Sequence, residues 1–389
     1  MVCLLWALAV FAFVVWTFYV VLVWRVASVV EIIEPTETST SLPALTVVIP
    51  ARNEEKTLEQ GLRSVLAQQG VDFRVVLVND HSTDRTGAIA DALAAEDSRL
   101  RVLHNPDLPP GWLGKCNALH QGAAGVESEF VLFTDADIVH KPGCFAAALG
   151  RMERDRLDFL TLLPQLVCVE FWEHMLVPLF FLAIPLLAPV VSVWGREKPT
   201  TGSGAFLLLR TRVYRALGGH EQLRMSVVDD MELAGLVKRS GYSTGVLMGT
   251  RLLDCRMYHG NREAFWGFTK NVLHATPGKP HLAVLGLPGM IALLWSSPIL
   301  MAGGIIKGQA WVALTGGILY LYQYASLFLM RRFARLKGWN RVLLFPMVSV
   351  SLACCIIRAA YHHWRHGQVV WRGRGVSLTS DAEAGKKKP

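Results

Sequence analysis

The chain has 389 residues, 52% of them hydrophobic, and its mean hydropathy of +0.34 excludes a wholly water-soluble protein of ordinary composition. Its net charge of +8 is concentrated: residues 331–389 hold 12 Lys/Arg against 2 Asp/Glu, and the rest of the chain holds 27 against 29. A basic end among apolar segments, with no recognisable nucleic-acid-binding motif, suits anionic lipid headgroups on the cytoplasmic leaflet better than nucleic acid.

Leu4 to Trp24 is an uncharged apolar run long enough to cross a bilayer core. No basic residue precedes it and it exceeds a signal-peptide core, so residues 1–30 are predicted to be a retained anchor. Arg25 follows directly, which favours an outside N-terminus and a cytoplasmic continuation. Glu31 to Pro43 reads as a linker. From Leu45 the pattern changes to strands alternating with helices. Strands are predicted at Leu45–Pro50, Phe73–Val78, Leu100–His104 and Phe130–Phe133; helices at Glu54–Gln69, Thr83–Glu96 and Lys115–Gly125. That alternation predicts an α/β domain with a mostly parallel sheet covered on both faces, in which ligands bind beyond the carboxyl ends of the strands. Three of those ends carry polar groups: Pro50-Ala51-Arg52-Asn53-Glu54, Asn79-Asp80-His81-Ser82-Thr83-Asp84 and Thr134-Asp135-Ala136-Asp137.

Met175 to Val193 is apolar but broken by Pro178, Pro185 and Pro189, which spoils a straight spanning helix. Residues 174–194 read as an interfacial insertion, with a buried core segment as the alternative; Phe171, Trp172 and Trp194 at its edges suit the headgroup level. A helix is predicted from Met231 to Ser240, opened by Asp229-Asp230 and ended at Gly241. Leu282–Ile306 and Ala310–Met330 are two further spans forming a hairpin within a C-terminal membrane region, 281–360. Arg331, Arg332, Arg335, Lys337 and Arg341 then mark a cytoplasmic loop. Val342–Ile357 is shorter and contains Pro346, and is read as a re-entrant or interfacial segment that keeps the basic tail, 361–389, cytoplasmic. His362, His363 and His366 have metal-like spacing, but residues between a span and a basic tail sit more naturally at the interface. Seven cysteines with no C-x-x-C indicate a reduced compartment.

The pattern that carries chemistry is Asp135-Ala136-Asp137. Two carboxylates spaced i, i+2 at a strand end can aim at one point, which suits a hard divalent cation that keeps other positions for water and phosphates. Taken alone it also reads as a solvated acidic turn. Gly202-Ser203-Gly204 has Leu207 where a dinucleotide fingerprint needs glycine, and Gly111 to Cys116 has the wrong spacing for a P-loop, so both of those nucleotide-binding classes are excluded. Asp229-Asp230 alone is ordinary helix-start chemistry.

Four motifs in order give the chain a family likeness. Val47 to Glu54, Val78 to Thr86, Asp135-Ala136-Asp137 and Asp229-Asp230-Met231-Glu232-Leu233 resemble a family 2 glycosyltransferase of the GT-A fold, over residues 45–275. Pro109-Pro110-Gly111-Trp112-Leu113-Gly114-Lys115 and Met257-Tyr258-His259-Gly260 through Lys270-Asn271 narrow the likeness to membrane-anchored lipid glycosyltransferases, the hopene-associated, carotenoid and ceramide enzymes. Gly367 to Arg374 resembles a terminal motif of the same group.

The resemblance implies a GT-A nucleotide-sugar-binding domain flanked by N-terminal and C-terminal transmembrane helices. Pro50, Arg52, Glu54 and Asp80 would meet the nucleotide, although Asp80 would serve equally as a helix cap. Asp135 and Asp137 would share the ribose and a Mg²⁺ or Mn²⁺ ion, Asp137 being the more direct ligand. Lys115, near a helix N-terminus, would add positive charge at the diphosphate; a solvated lysine is the alternative. Asp230 matches the general base, and Asp229, Gly202, Ser203 and Gly204 would line the acceptor site, the glycines allowing close backbone approach. The sequence departs from processive members and ceramide glucosyltransferases where they carry Gln-x-x-Arg-Trp: here stands Gly267-Phe268-Thr269-Lys270-Asn271, with Lys270 as a point-charge substitute for the arginine. The expectation is therefore an inverting transfer of one sugar from a UDP-sugar to a membrane lipid, at the cytoplasmic face of the inner membrane. Rival readings are a polysaccharide synthase, disfavoured by the missing motif, and a non-catalytic GT-A-like scaffold, disfavoured by the intact aspartates. A transporter is disfavoured by spans nearly free of ionisable groups.

Overall fold

A computed structural model of the chain describes residues 2–36, 42–104, 108–177, 201–265, 267, 280–334, 345–366, 368–371 and 374–377. They fall into two compact units. One comprises the described residues within Met1–Ser28, Cys168–Leu187 and Met257–Pro389; the other comprises those within Val29–Val167 and Ala188–Arg256.

The second unit is built on a seven-stranded sheet. Its strands in chain order are β1 (Leu45–Ala51), β2 (Phe73–Asn79), β3 (Leu100–His104), β4 (Phe130–Phe133), β6 (Phe159–Leu163), β8 (Leu207–Arg210) and β9 (Thr244–Met248), arranged β3-β2-β1-β4-β8-β6-β9. Only β8 runs against its neighbours, so the sheet is mostly parallel, as the alternating pattern predicts. A small second sheet joins β5 (Ile138–His140), β10 (Leu253–Cys255) and β7 (Gln165–Leu166). The central strands are apolar on both faces because helices cover both. Val47, Val48, Phe130, Val131 and Leu132 have no exposed surface, and each such side chain contributes roughly 1.5–3 kcal/mol by burial.

Helices α1 (Val2–Val29), α2 (Leu58–Leu66), α3 (Thr86–Glu96), α4 (Gly114–Ala123) and α5 (Cys144–Arg154) are followed by α6 (Thr211–Ala216) and α7 (Asp229–Arg239). One face of the sheet packs Val48, Val131 and Phe133 against Leu119 and Ala123 of α4 and Leu233 and Val237 of α7. Two helices start later than their periodicity suggests. The residues expected to open them, Glu54 to Thr57 and Thr83 to Arg85, instead form turns that bond to one another beyond the strands. The linker after α1 is also ordered in part: Ile32 forms a parallel bridge to Met248, and Glu31 and Glu34 pair with Arg151 and Arg251.

The first unit holds α1 and three later helices, α8 (Pro280–Ile306), α9 (Ala310–Ala334) and α10 (Phe345–His366). Cys3–Leu22 and Ala310–Leu329 are long and apolar enough to cross a membrane. Ala9 and Ala12 of α1 pack with Leu300, Val312 and Leu319, and Trp16 packs with Leu327 and Phe345. Gln323 is fully buried; its Oε1 accepts the Ser297 hydroxyl at 2.6 Å and its Nε2 donates to the Leu293 carbonyl at 3.3 Å, a polar joint between α8 and α9. The segment read as ending at Ile357 is helical from Phe345 and continues to His366, and a hairpin of Gln368–Trp371 with Arg374–Ser377 follows. Of the apolar insertion at 174–194, residues beyond 177 lie outside the described residues, as does the Lys386–Lys388 end.

His140, in β5, is buried against the Phe145 and Phe206 rings, and burial pushes its pKa down to about 3. Because the folded value lies below the unfolded one, its contribution is intact above about pH 6.5 and drains away as the pH falls towards 3. A His140→Phe variant should therefore gain on the wild type by about 1.4 kcal/mol per pH unit between pH 6 and 4, read from denaturant unfolding of the two proteins across that range.

Candidate active site

The register of the parallel strands sets the rim. Ala51 lies opposite Asn79, so the turns after β1 and β2 begin at the same level, and Thr134 continues β4 by donating its N–H to the Val48 carbonyl at 3.2 Å. The first two turns are tied together. The Asn53 N–H donates to Ser82 Oγ at 3.0 Å, the Thr83 N–H to Asn53 Oδ1 at 2.8 Å, and the Glu54 N–H to Thr86 Oγ1 at 2.7 Å. Asn53 and His81 adopt left-handed conformations, with φ of 52° and 54°, and backbone strain of that kind needs surrounding bonds to hold it. Arg52 donates to the Asp80 carbonyl at 2.9 Å and stands 3.6 Å from its carboxylate, while His81 Nδ1 lies 2.9 Å from Asp80 Oδ1. Asp80 is thus a buried acceptor between a cation and an imidazole. Glu54 braces its own turn by accepting the Thr57 hydroxyl at 3.0 Å, and Pro50 is half-buried near the end of β1.

The acidic turn after β4 meets residues from far along the chain. Lys115, in the first turn of α4, places Nζ 2.8 Å from Asp135 Oδ1 and 3.8 Å from Asp229 Oδ1. The Asp135 N–H donates to the Gly204 carbonyl at 2.9 Å, and the Gly204 N–H donates to Asp230 Oδ2 at 2.9 Å. Asp230 Oδ1 accepts the Met231 N–H at 2.8 Å, the first-turn chemistry expected of an acid opening α7. Gly202-Ser203-Gly204 is therefore a strap lying between the two acidic motifs, anchored by the Ser203 N–H on Thr161 Oγ1 at 3.2 Å. Its glycines are required by contact: a Cβ on Gly202 would stand 1.9 Å from the Asp230 carbonyl oxygen, and one on Gly204 would stand 2.5 Å from Asp135 Oδ2 and 3.1 Å from Lys115 Nζ.

The electrostatics follow from that crowding. Burial pushes the Asp229 carboxyl up to about 7; Lys115 pulls it down, and Asp230 and Asp135 add to the rise. Burial also raises Asp230, against Lys115 and the two backbone amides it accepts from. Burial works against the Lys115 ammonium, but Asp135, Asp229 and Asp230 outweigh it and hold its pKa well above the ordinary lysine value. Asp229 is only 3% exposed whereas Asp230 is half-buried, so Asp230 is the member of the pair that a substrate can reach. Asp137 sits two residues beyond Asp135, half-buried on the same turn. Among the described residues no group of three or more His, Cys, Asp or Glu side chains forms a metal cage. Two carboxylates on one turn fit a hard divalent ion that draws its remaining ligands from phosphates and water.

Of the residues expected at the site, Lys115, Asp135, Gly202, Ser203, Gly204, Asp229 and Asp230 meet at the end of β4, and Arg52, Glu54 and Asp80 form the tied pair of turns. Lys270 lies outside the described residues. Sequence reasoning missed Tyr214 and His220, which lie behind Asp229. Their signal was a Gly218-Gly219 pair directly before a histidine. Filling the strap should disrupt the site. Gly202→Ala and Gly204→Ala are each expected to lose about 1–3 kcal/mol of stability and most activity, whereas Gly125→Ala, with no atom within 4 Å of the added Cβ, should be close to neutral by thermal unfolding.

Comparison with known proteins bears on the family and the fold. Residues 46–217 match the model of Glycosyl transferase family 2. The 4,4'-diaponeurosporenoate glycosyltransferase of Staphylococcus aureus strain USA300 is 27% identical over 352 residues, 87% of this chain and 89% of the relative. Its counterpart in strain MRSA252 is 26% identical over 351 residues, with the same coverage. The mannosyltransferase PcManGT from Pyrobaculum calidifontis, solved in complex with GDP-Man and Mn²⁺, shares the fold with a TM-score of 0.52 at 17% identity, over 91% of this chain and 99% of that one. Residues 46–217 thus form a Glycosyl transferase family 2 domain, and the acidic turn beyond β4 lies inside it.

Proposed function

We propose that the enzyme transfers a single sugar from a nucleotide sugar, a UDP-sugar, to a hydroxyl or carboxyl group of a membrane lipid, with inversion at the anomeric carbon. The observation that carries this reading is the meeting of Lys115, Asp135, Asp229 and Asp230 around the Gly204 backbone. The Staphylococcus relatives named for 4,4'-diaponeurosporenoate, matching 87% of the chain, support a lipid acceptor. The apolar helices Cys3–Leu22 and Ala310–Leu329 would hold the enzyme at the bilayer, and Arg25 with the basic residues after Met330 favours a cytoplasmic catalytic domain in the inner membrane.

In this reading Pro50, Arg52, Glu54 and Asp80 receive the nucleoside. Lys115 and Lys270 supply positive charge to the diphosphate. Asp135 contributes to the ribose, and Asp135 and Asp137 would hold Mg²⁺ or Mn²⁺, the latter being the ion in the PcManGT complex. That ion would neutralise charge gathering on the departing diphosphate. Asp230 takes the proton from an acceptor hydroxyl as its oxygen bonds to the anomeric carbon. The bond from that carbon to the diphosphate breaks, and its electron pair leaves with the nucleoside diphosphate. A leaving group of this kind needs no protonation, so one carboxylate suffices as base. A carboxylate acceptor arrives already ionised, and Asp230 then only orients it.

The test is a panel assay. Purified enzyme with Mn²⁺ or Mg²⁺ is given UDP-glucose, UDP-galactose, UDP-GlcNAc or GDP-mannose with 4,4'-diaponeurosporenoate or fractionated membrane lipids, and glycolipid is sought by mass spectrometry. Product is expected with a UDP-sugar, a chelator should abolish it, and Asp230→Asn should lower kcat by about 10²- to 10⁴-fold on a hydroxyl acceptor. Full turnover in Asp230→Asn would remove the assigned base, and chelator-insensitive turnover would remove the metal.

A further inference from the structure

Behind the acidic pair lies a buried aromatic relay. The chain leaves α6 through Gly218 and Gly219, both at positive φ (74° and 54°), and folds back so tightly that a Cβ on Gly219 would stand 2.4 Å from the Tyr214 ring. This turn drives His220 into the core, where it has no exposed surface. Phe133, the last residue of β4, meets its ring edge-on with centroids 4.8 Å apart.

The hydrogen bonds around the ring bear on which nitrogen carries the proton. The Tyr214 hydroxyl accepts the backbone N–H of His220 at 3.1 Å and lies 2.8 Å from His220 Nδ1. When the hydroxyl sends its own proton to Nδ1, Nδ1 accepts and the neutral ring is protonated at Nε2, which is the tautomer the proposal below requires. Nε2 faces Asp229 Oδ2 at 4.0 Å. Both are buried atoms with no hydrogen-bond partner, and the other oxygen of Asp229 faces Lys115 Nζ at 3.8 Å. Four ångströms is longer than a hydrogen bond and too short for a water in line, so a shift of under about 1 Å in either side chain completes the contact. Catalytic hydrogen bonds are commonly loose before substrate binds.

We propose that His220, oriented by Tyr214, is a positioning residue for the acidic pair: its Nε2–H and the Lys115 ammonium grip Asp229 from opposite oxygens and thereby set where Asp230 is presented to the acceptor. This rests on the reading of Asp230 as base. His220 touches no substrate, and a ring that only filled the core between Phe133 and Tyr214 would have no use for a buried N–H aimed at a carboxylate.

The full-length enzyme tests this with the donor and acceptor that give the fastest turnover in the panel above. His220→Phe keeps the ring volume and removes the N–H; kcat should fall about 10- to 100-fold, the range for partners that orient working groups, with donor KM and thermal midpoint little changed. His220→Gln, whose amide nitrogen can reach Asp229, should recover much of that loss. In wild-type enzyme labelled with ¹⁵N-histidine, NMR should show His220 protonated at Nε2, and Tyr214→Phe should disturb that tautomer. A wild-type kcat in His220→Phe beside an inactive Asp230→Asn overturns the proposal and leaves the assigned base standing. So does a His220→Gln no faster than His220→Phe, or a wild-type ring protonated at Nδ1. Turnover in Asp230→Asn overturns the assigned base and this proposal with it.

Discussion

A single ammonium group stands among three carboxylates from two distant parts of the chain. Lys115 bonds Asp135 at 2.8 Å and faces Asp229 at 3.8 Å, with Asp230 beside them on the Gly204 amide. Removed from water and left without a cation, these acids would repel one another and take up protons, and the rim of β4 would not hold its shape. Every other feature of the rim serves that arrangement. The strap must be glycine where it passes between the acids, α4 must start at Gly114 for its first turn to reach Asp135, and α7 must begin at the acids so that its amides can share their charge.

The parallel half of the sheet was legible because each of its strands is an apolar run ending in polar residues, and burial on both faces erases any competing helical period. The strands β6, β8 and β9 escaped notice for a related reason. Phe159–Leu163 and Leu207–Arg210 are short apolar runs without a distinctive ending, and nothing local states that Leu207–Arg210 runs the other way. Strands as short as Gln165–Leu166 hold their pairing only through the tertiary structure. Individual site residues could be named from motifs, but their meeting could not. Residues 115, 135, 204 and 229 come together by chain crossovers that no spacing encodes. His220 showed only as a histidine after two glycines, and that pattern does not state what its ring faces.

The two members of the acidic pair differ in exposure. Asp229 is buried and Asp230 half-buried, although the two are adjacent in sequence and share one helix start. Neighbouring residues in the first turn of a helix point in different directions, so the fold can bury one acid and leave the next partly exposed. The same economy appears in the apolar unit, where one fully buried glutamine joins two helices through a serine and a backbone carbonyl.

The linker that follows α1 gives the sheet another property. β9 is an edge strand, and an edge presents unpaired amides and carbonyls that a strand of any other molecule could extend. Here the chain uses part of that edge itself. Met248 exchanges backbone bonds with Glu31 and Ile33, its N–H donating at 2.8 Å and its carbonyl accepting at 3.1 Å, and Glu31 and Glu34 are pinned by Arg151 and Arg251. The tether thus acts as a selvedge, closing the end of β9 to strand addition by another chain.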